Sequence, residues 1–259
     1  MISIMISTMN LDGDTVPERM HLAGHAASFI NQCGRDGEHS FEYTGIPYKV
    51  YDSSLRGLSR SRNMALGKAQ GEYVWLLDDD VVLSENCEKD IESAFRENPD
   101  ADGILFNIVS DTADRPQRQV SEKHSLGINN AMAYPTYRYV YRKSALKEKG
   151  LRFNEAFGSG APVSNGEDSI FTADCLRSGL RLIAVPVCIG HVKHADSAWF
   201  GGFDAKFRHD KGAIFRAIFG WKYPLYCAVM LFRRPEWKNG APFLRAYLDM
   251  LSGARGYRS

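Results

Sequence analysis

The 259-residue chain has no long uncharged apolar run, and its five cysteines include no Cys-x-x-Cys spacing. Its most apolar late stretch, residues 213–232, is interrupted by Arg216, Lys222 and Pro224, whereas a membrane-spanning helix needs about 20 nearly uncharged residues. The odd cysteine count argues against a disulfide scaffold and indicates a reducing compartment. The N-terminal ISIMIS lacks the basic start and the cleavage site of a signal peptide, so we expect a cytoplasmic protein.

A large excess of charge of one sign is also missing, because the formal net charge is +1. A global polyelectrolyte partner such as bulk DNA is therefore not indicated. The charge is uneven, since residues 201–259 combine eleven Lys/Arg and four Asp/Glu with many aromatic side chains. This mixture predicts either peripheral contact with the inner face of the cytoplasmic membrane or a helical pair packed on the rest of the fold. Nucleic acid is not an expected partner, because the first 200 residues are acidic overall.

Strand-like and helix-like segments alternate over the first 200 residues, without an internal repeat. This alternation predicts an α/β domain over residues 1–200, with a mostly parallel sheet and helices on both faces. Residues 201–259 are expected to form a helical C-terminal extension, and residues 34–45 a loop. The predicted strands are residues 2–7, 26–31, 47–51, 72–77, 101–109, 136–141 and 180–188. The predicted helices are residues 59–68, 84–97 with Ser84 as N-cap, 143–149 and 167–178.

Three consecutive carboxylates, Asp78, Asp79 and Asp80, directly follow the most apolar predicted strand. Ligands in open α/β sheets bind outside the carboxyl ends of the strands. Hard divalent cations such as Mg²⁺ and Mn²⁺ prefer oxygen ligands and are often bound by one or two carboxylates together with substrate phosphates. The spacing therefore predicts a metal-diphosphate site, and the alternative is a solvated acidic turn before the next helix.

The preceding helix begins with two arginines, Arg60 and Arg62, close to its N-terminus. Phosphate and carboxylate groups are the natural partners of such a pair. The alternative is a solvated basic turn. An anionic ligand is the interpretation that agrees with the neighbouring carboxylates.

Together these residues form the run GLSRSRNMALGKAQGEYVWLLDDDV, which resembles the core of the family 2 glycosyltransferases. The N-terminal ISIMISTMN resembles the first strand of that family, and NEAFGSGAPVSNGEDSIFTADCLR resembles its acceptor-side segment with a Glu-Asp motif. The resemblance covers about residues 1–200. It implies the GT-A fold, a Rossmann-like nucleotide-diphospho-sugar transferase architecture, of the type that builds bacterial lipopolysaccharide or capsule.

The resemblance also implies a donor site and a metal site at named positions. Asn31 and Gln32 stand where the family has an acidic pair that reads the base, so the identity of the base stays open. Donor-binding positions are then Thr8, Asn31, Gln32, Asp52, Arg62, Asp78 and Asp79. Metal positions for Mn²⁺ or Mg²⁺ are Asp80 and Asp78, completed by either His194 or His191.

On the acceptor side, the resemblance assigns catalysis to the pair Glu167 and Asp168. Inverting transfer needs one base to deprotonate the acceptor hydroxyl, and we expect Asp168 to be that base while Glu167 holds hydroxyl groups. The alternative is that the pair only complements the positive N-terminus of its helix.

The predicted reaction moves a sugar from a nucleotide donor, with UDP as the expected nucleotide, to a hydroxyl of a saccharide that is either free or lipid-linked. A retaining mechanism stays open because one fold can host both outcomes. A nucleotidyltransferase is a rival, although the Gly-rich, Lys-containing loop expected after its first strand is missing here. A non-catalytic saccharide-binding relative is the second rival.

Overall fold

The computed structural model describes residues 1–111, 118–193 and 202–257. In this part of the chain ten strands form one sheet. The strands are β1 (Ile2–Thr8), β2 (Ala27–Gln32), β3 (Gly37–Tyr43), β4 (Ile46–Ser53), β5 (Tyr73–Asp78), β6 (Val81–Leu83), β7 (Gly103–Ser110), β8 (His124–Ser125), β9 (Tyr139–Arg142) and β10 (Leu182–Val192). The helices are α1 (Thr15–Arg19), α2 (Leu58–Lys68), α3 (Cys87–Glu97), α4 (Ile128–Ala131), α5 (Lys143–Glu148), α6 (Glu167–Arg177), α7 (Ala205–Phe219), α8 (Tyr223–Arg233) and α9 (Phe243–Gly256).

The strand order across the sheet is β3-β4-β2-β1-β5-β9-β7-β10-β6, with β8 pairing with one end of β10. Strands β4, β2, β1 and β5 run parallel to one another, and β7 is parallel to β10. Strand β9 is antiparallel to both of its neighbours, and β3, β6 and β8 are antiparallel edge additions. The predicted α/β fold is confirmed, and its sheet is mixed because β9 fills the position between the two parallel halves.

Helices cover both faces of the sheet, as predicted. The alternating directions of the side chains along strand β5 show why. Trp75 and Leu77 point into a core shared with α1 and α3, whereas Val74 and Leu76 point into a second core shared with α2, α5 and α6. Successive side chains of a strand face opposite sides of the sheet. A strand that is apolar at every position therefore needs a layer of helices on each face.

The prediction of a loop at residues 34–45 is wrong, because this segment contains strand β3. It forms a hairpin with β4, and Thr44 and Gly45 at its tip have φ values of 51° and 79°. Two successive positive φ values are characteristic of the tight turns that join twisted antiparallel strands. The strand was missed because it lies at the sheet edge, where its residues are mostly exposed and polar.

Three further boundaries differ from the prediction, two of them because pairing between β6 and β10 extends the sheet. Ser84 is not an N-cap, since residues Val81–Leu83 form β6 and α3 starts only at Cys87. The Ser84 hydroxyl is buried without a hydrogen-bond partner among the described residues. Strand β10 continues to Val192, and residues Thr136–Arg138 form a 3₁₀ turn before β9.

The predicted C-terminal extension is helical and consists of α7, α8 and α9. Helices α7 and α9 approach at backbone distance, because a Cβ at Gly212 would lie 1.7 Å from the Met250 carbonyl oxygen and one at Gly253 would lie 1.8 Å from that of His209. Phe157 joins the apolar core of this layer and connects it to the sheet domain. In the described part of the chain no helix combines the length and apolarity needed to cross a membrane. The division at residue 200 stays a prediction.

Candidate active site

A buried arginine occupies the point where β5, α2 and α6 meet. Arg62 lies in the first half of α2, and its side chain is only 2% exposed. One terminal nitrogen donates to Asp168 Oδ1 at 2.6 Å and to Glu167 Oε1 at 3.2 Å, and the other donates to both oxygens of Asp78 at 3.1 and 3.2 Å. The tertiary structure thus brings together four of the predicted site residues, from motifs more than 80 residues apart.

The electrostatic balance of this cluster is negative, because one guanidinium faces three carboxylates. Burial, together with the charge of Asp168, raises the pKa of Glu167 to about 7. Burial also raises the pKa of Asp78, although Arg62 acts in the opposite direction. Burial alone would lower the pKa of Arg62, but Asp78, Asp168 and Glu167 raise it well above its ordinary value. Such a cluster attracts a further positive charge.

Asp80 provides the position that fits a cation. Burial, followed by the charges of Asp78 and Asp79, raises the pKa of Asp80 to about 7. Its Oδ1 is buried and has no hydrogen-bond partner among the described residues. An unpaired buried oxygen beside other carboxylates is costly unless a proton or a cation occupies it. The residues present therefore fit a divalent cation at Asp80.

Within the described part of the chain, Asp78 and His191 do not complete a metal site around Asp80. Among the residues that the structure describes, no three His, Cys, Asp or Glu side chains are arranged to hold an ion. His191 Nε2 lies 3.5 Å from Asp111 Oδ2 and its ring packs edge-on against His21. His194 lies outside the described residues. Besides protein side chains, a cation at Asp80 can take ligands from a bound substrate, as is common for Mg²⁺ with phosphates.

Asp79 belongs to a separate contact at the end of β1. Thr8 Oγ1 donates a hydrogen bond to Asp79 Oδ2 at 2.5 Å. Arg19, in the short helix α1, donates from Nε to the Asp79 carbonyl oxygen at 3.0 Å. Sequence reasoning missed Arg19, because nothing in its local pattern marks it as a partner of a residue 60 positions away.

The two amides expected to read the base are both engaged by protein groups. Asn31 donates to Asp52 Oδ1 at 2.7 Å and accepts from the backbone N–H of Leu11 at 2.9 Å. Gln32 Oε1 accepts from the backbone N–H of Gly57 at 2.7 Å, which fixes the chain at the start of α2. Burial opposes ionisation of Asp52, but hydrogen bonding from Asn31 helps to lower its pKa. Asn31 and Asp52 therefore meet at the ends of the adjacent strands β2 and β4, as their positions predict.

Two residues that the sequence did not single out contact the Glu-Asp motif or the residues just before it. Thr136 Oγ1, in the 3₁₀ turn before β9, donates to Asp168 Oδ1 at 2.6 Å. Lys211 of α7 reaches Asn165, just before α6, with its Nζ 3.3 Å from Asn165 Oδ1, and burial lowers the pKa of this lysine. Neither position belongs to a recognisable pattern, because both contacts depend on how distant segments pack.

The family model described as Glycosyl transferase family 2 matches residues 40–160, which include α2, β5 and the three consecutive aspartates. Residues 40–160, somewhat under half of the chain, are therefore similar to the family 2 glycosyltransferases. The fold of the chain is of the GT-A type. A sequence comparison with curated proteins finds no significant match.

Solved structures similar to this chain include TarS from S. aureus. The TarS 1–349 structure is 14% identical, with a TM-score of 0.64, over 98% of this chain and 92% of that one. TarS 1–349 in complex with UDP-GlcNAc is 18% identical, with a TM-score of 0.61, over 95% and 81% of the two chains. This chain spans 43% of a longer TarS structure.

A more distant neighbour is the mannosyltransferase PcManGT from Pyrobaculum calidifontis, in complex with GDP-Man and Mn²⁺. It is 14% identical, with a TM-score of 0.54, over 100% of this chain and 76% of that one. At these identities the likenesses establish the fold.

Proposed function

We propose that this chain is a metal-assisted, inverting glycosyltransferase that moves a sugar from a UDP-linked donor to a saccharide hydroxyl. The observation that carries the proposal is the setting of Asp168. Its Oδ1 is held by Arg62 at 2.6 Å and by Thr136 at 2.6 Å, and no hydrogen bond within the described residues reaches its Oδ2. A carboxylate oriented through one oxygen, with the other available, suits a general base.

The proposed chemistry is a single displacement. Asp168 accepts the proton of the acceptor hydroxyl, the hydroxyl oxygen forms a bond to the anomeric carbon, and the bond from that carbon to the nucleotide diphosphate breaks. Attack opposite to the leaving group gives a β-linkage from an α-linked donor, and no covalent enzyme intermediate is required. Glu167, whose pKa burial raises to about 7, holds acceptor or donor hydroxyls and can donate or accept a hydrogen bond near neutral pH.

The donor would lie across the carboxyl ends of β1, β2, β4 and β5. Thr8, Asn31 and Gln32 end the first two of these strands, and Asp52 and Asp78 lie at the ends of the other two. UDP is favoured because the TarS 1–349 structures include complexes with UDP and with UDP-GlcNAc. Guanine is the alternative base, because the PcManGT structure contains GDP-Man.

Asp80 and Asp78 would hold Mn²⁺ or Mg²⁺ together with the donor diphosphate. When bound, such an ion neutralises the charge that develops on the leaving diphosphate. The unpaired Oδ1 of Asp80 supports this assignment, and the PcManGT complex contains Mn²⁺. Because Arg62 already contacts both Asp78 oxygens, Asp80 is the stronger candidate of the two ligands.

The acceptor in this proposal is a lipid-linked saccharide of bacterial lipopolysaccharide or capsule, which would place the enzyme at the inner face of the cytoplasmic membrane. The basic, aromatic helical layer supports this part of the proposal, because α7 packs directly against α6. Gly166 shows how close the contact is, since a Cβ there would lie 2.5 Å from the Ile214 side chain.

The decisive experiment measures binding and turnover on the same variants. UDP or a UDP-sugar with Mn²⁺ should raise the melting temperature, and Asp80→Ala should abolish the metal-dependent part of that shift. Asp168→Asn should retain the shift and lose sugar transfer, whereas Asp100→Asn, an exposed residue that pairs with Arg181 outside the Arg62 cluster, should keep both.

Two outcomes would contradict the proposal. Release of pyrophosphate instead of a nucleoside diphosphate would identify a nucleotidyltransferase. Saccharide binding that is unaffected by Asp168→Asn, without any turnover of the parent protein, would identify a non-catalytic relative.

A further inference from the structure

Exposed apolar side chains are concentrated in the C-terminal helices. Of the ten large apolar side chains that the structure describes as exposed, six lie between residues 221 and 248. We call these six the apolar ridge, and they are Trp221, Leu225, Val229, Phe232, Leu244 and Leu248. Trp221 and Phe232 are 79% and 74% exposed, which is unusual for side chains of this size. A concentrated apolar surface of this kind marks an interaction site.

The ridge follows from the composition of α8, which has no charged residue between its first residue, Tyr223, and Phe232. Cys227 and Leu231, one turn apart, are buried against α7 and α9. Leu225 and Val229 are also one turn apart and lie on the opposite side of the helix, because a shift of two residues rotates a side chain by about 200°. A helix that is apolar all round normally has cover on every side.

The ridge continues from α8 onto α9. The Phe232 ring lies 4.7 Å from the ring of Phe243, the first residue of α9. Leu244 and Leu248 follow at helical spacing and are exposed. The two helices α8 and α9 therefore share the apolar ridge, which is a broader surface than one exposed side chain.

The segment that carries the apolar ridge is rich in basic residues, and few acidic residues balance them. The six Lys/Arg of residues 220–257 are Lys222, Arg233, Arg234, Lys238, Arg245 and Arg255. The same segment contains two acids, of which Glu236 pairs with Arg234 and Asp249 pairs with Arg208 and Arg245. The surface is thus both apolar and positively charged, which complements the interface of a bilayer that contains anionic lipids.

We propose that the apolar ridge and the basic residues of the same segment dock this protein on an anionic lipid bilayer. The docking surface is coupled to the acceptor side of the site, because Arg177 at the end of α6 donates to the carbonyl oxygens of Ala217 and Ile218 at 3.1 and 2.6 Å, just before the ridge begins. Docking itself needs no sugar transfer, and it rests on the proposed function only for its purpose, the presentation of a lipid-linked acceptor to Asp168.

The test is co-sedimentation of the full chain with vesicles. Vesicles of phosphatidylglycerol and phosphatidylethanolamine should bind the protein at least about tenfold more tightly than vesicles of phosphatidylcholine, and salt should weaken the binding. Leu225→Ser with Phe232→Ser should reduce binding by about tenfold or more, and Lys222→Glu with Arg233→Glu should do the same. Leu55→Ser with Val109→Ser removes two exposed apolar side chains elsewhere and should leave binding unchanged.

Equal binding by the Leu225/Phe232 variant and the parent protein would overturn the proposal. Concentration-dependent self-association that this variant abolishes, without vesicle binding by the parent, would show that a second copy covers the ridge and would also overturn it. The thermal shift with UDP and Mn²⁺ is measured on the same samples. Vesicle binding without a nucleotide shift would contradict the transferase proposal and leave the docking proposal intact. A nucleotide shift without vesicle binding would contradict the docking proposal and leave the transferase proposal intact.

Discussion

Arg62→Met is expected to destabilise the protein severely, because it removes the only cation that the structure shows in contact with Asp78, Glu167 and Asp168 in its described part. Arg62 is 2% exposed, and its terminal nitrogens make four hydrogen bonds to these carboxylates. Removing one partner of a buried ion pair costs about 3–5 kcal/mol, and the free energy of unfolding of a typical domain is about 5–15 kcal/mol. The variant should therefore lose a large part of its stability at neutral pH.

The loss should depend on pH in a defined direction. The native pKa of Glu167 is raised to about 7 and that of Asp78 is also raised, so between the unfolded pKa of about 4 and these native values the folded state binds more protons than the unfolded state. The free energy of unfolding therefore falls as the pH rises through this window. Without Arg62 the native pKa values rise further, so the difference between variant and parent should be larger at about pH 8 than at about pH 5.5.

Urea denaturation followed by circular dichroism at these two pH values measures the effect. Arg60→Met is the matched control, since Arg60 lies two residues away on the same helix and its pair with Glu155 is exposed, so its loss should cost at most about 1 kcal/mol. The reasoning is refuted if Arg62→Met is within about 1 kcal/mol of the parent protein at the higher pH, or if its loss is the same at both pH values.

Three other predictions concern the metal, the base and the helical layer. Because the pKa of Asp80 is raised to about 7, a cation must displace a proton there, and apparent Mn²⁺ affinity should rise about tenfold between roughly pH 6 and pH 8 in titrations of the nucleotide complex. Asp80→Asn should abolish that rise. Asp168→Asn should reduce transfer by about 10²–10⁴-fold in a coupled nucleoside-diphosphate assay, while a fall below tenfold would exclude it as the base. Gly212→Ala should cost at least about 1–3 kcal/mol of unfolding free energy, because its Cβ would lie 1.7 Å from the Met250 carbonyl oxygen, whereas Gly256→Ala, with open space around it, should be close to neutral.

Much of the domain was predictable from local patterns. The apolar run before Asp78 is strand β5, and the segments predicted as helices over residues 59–68 and 167–178 are α2 and α6 within one residue at either end. Their patterns are strong because both faces of β5 are buried, and because each helix places its small and apolar residues against the sheet. Strand β3 escaped prediction because it lies at the sheet edge, where most of its residues are exposed and only Phe41 and Tyr43 pack against the core.

The candidate site was predictable only as a set of residues. The sequence indicated Arg62, Asp78, Glu167 and Asp168 separately, but their motifs do not show that one guanidinium joins all three carboxylates. Thr136 and Lys211 carry no signal at all, because their contacts with Asp168 and Asn165 form only when distant segments pack together. The same holds for Asn31 and Gln32, whose amide groups could have faced a base but bind Asp52 and the Gly57 backbone.

The amino-acid sequence by itself determined the α/β architecture, the helical C-terminal layer and the carboxylates at the end of β5, because hydrophobic periodicity and strand-end positions are local properties of the chain. Only the tertiary structure decided that Arg62 is buried among three acids, that Asp80 keeps an unpaired oxygen, and that α8 has an exposed apolar face. Charge balance, burial and exposure depend on which distant segments meet. No single segment of the sequence contains that information.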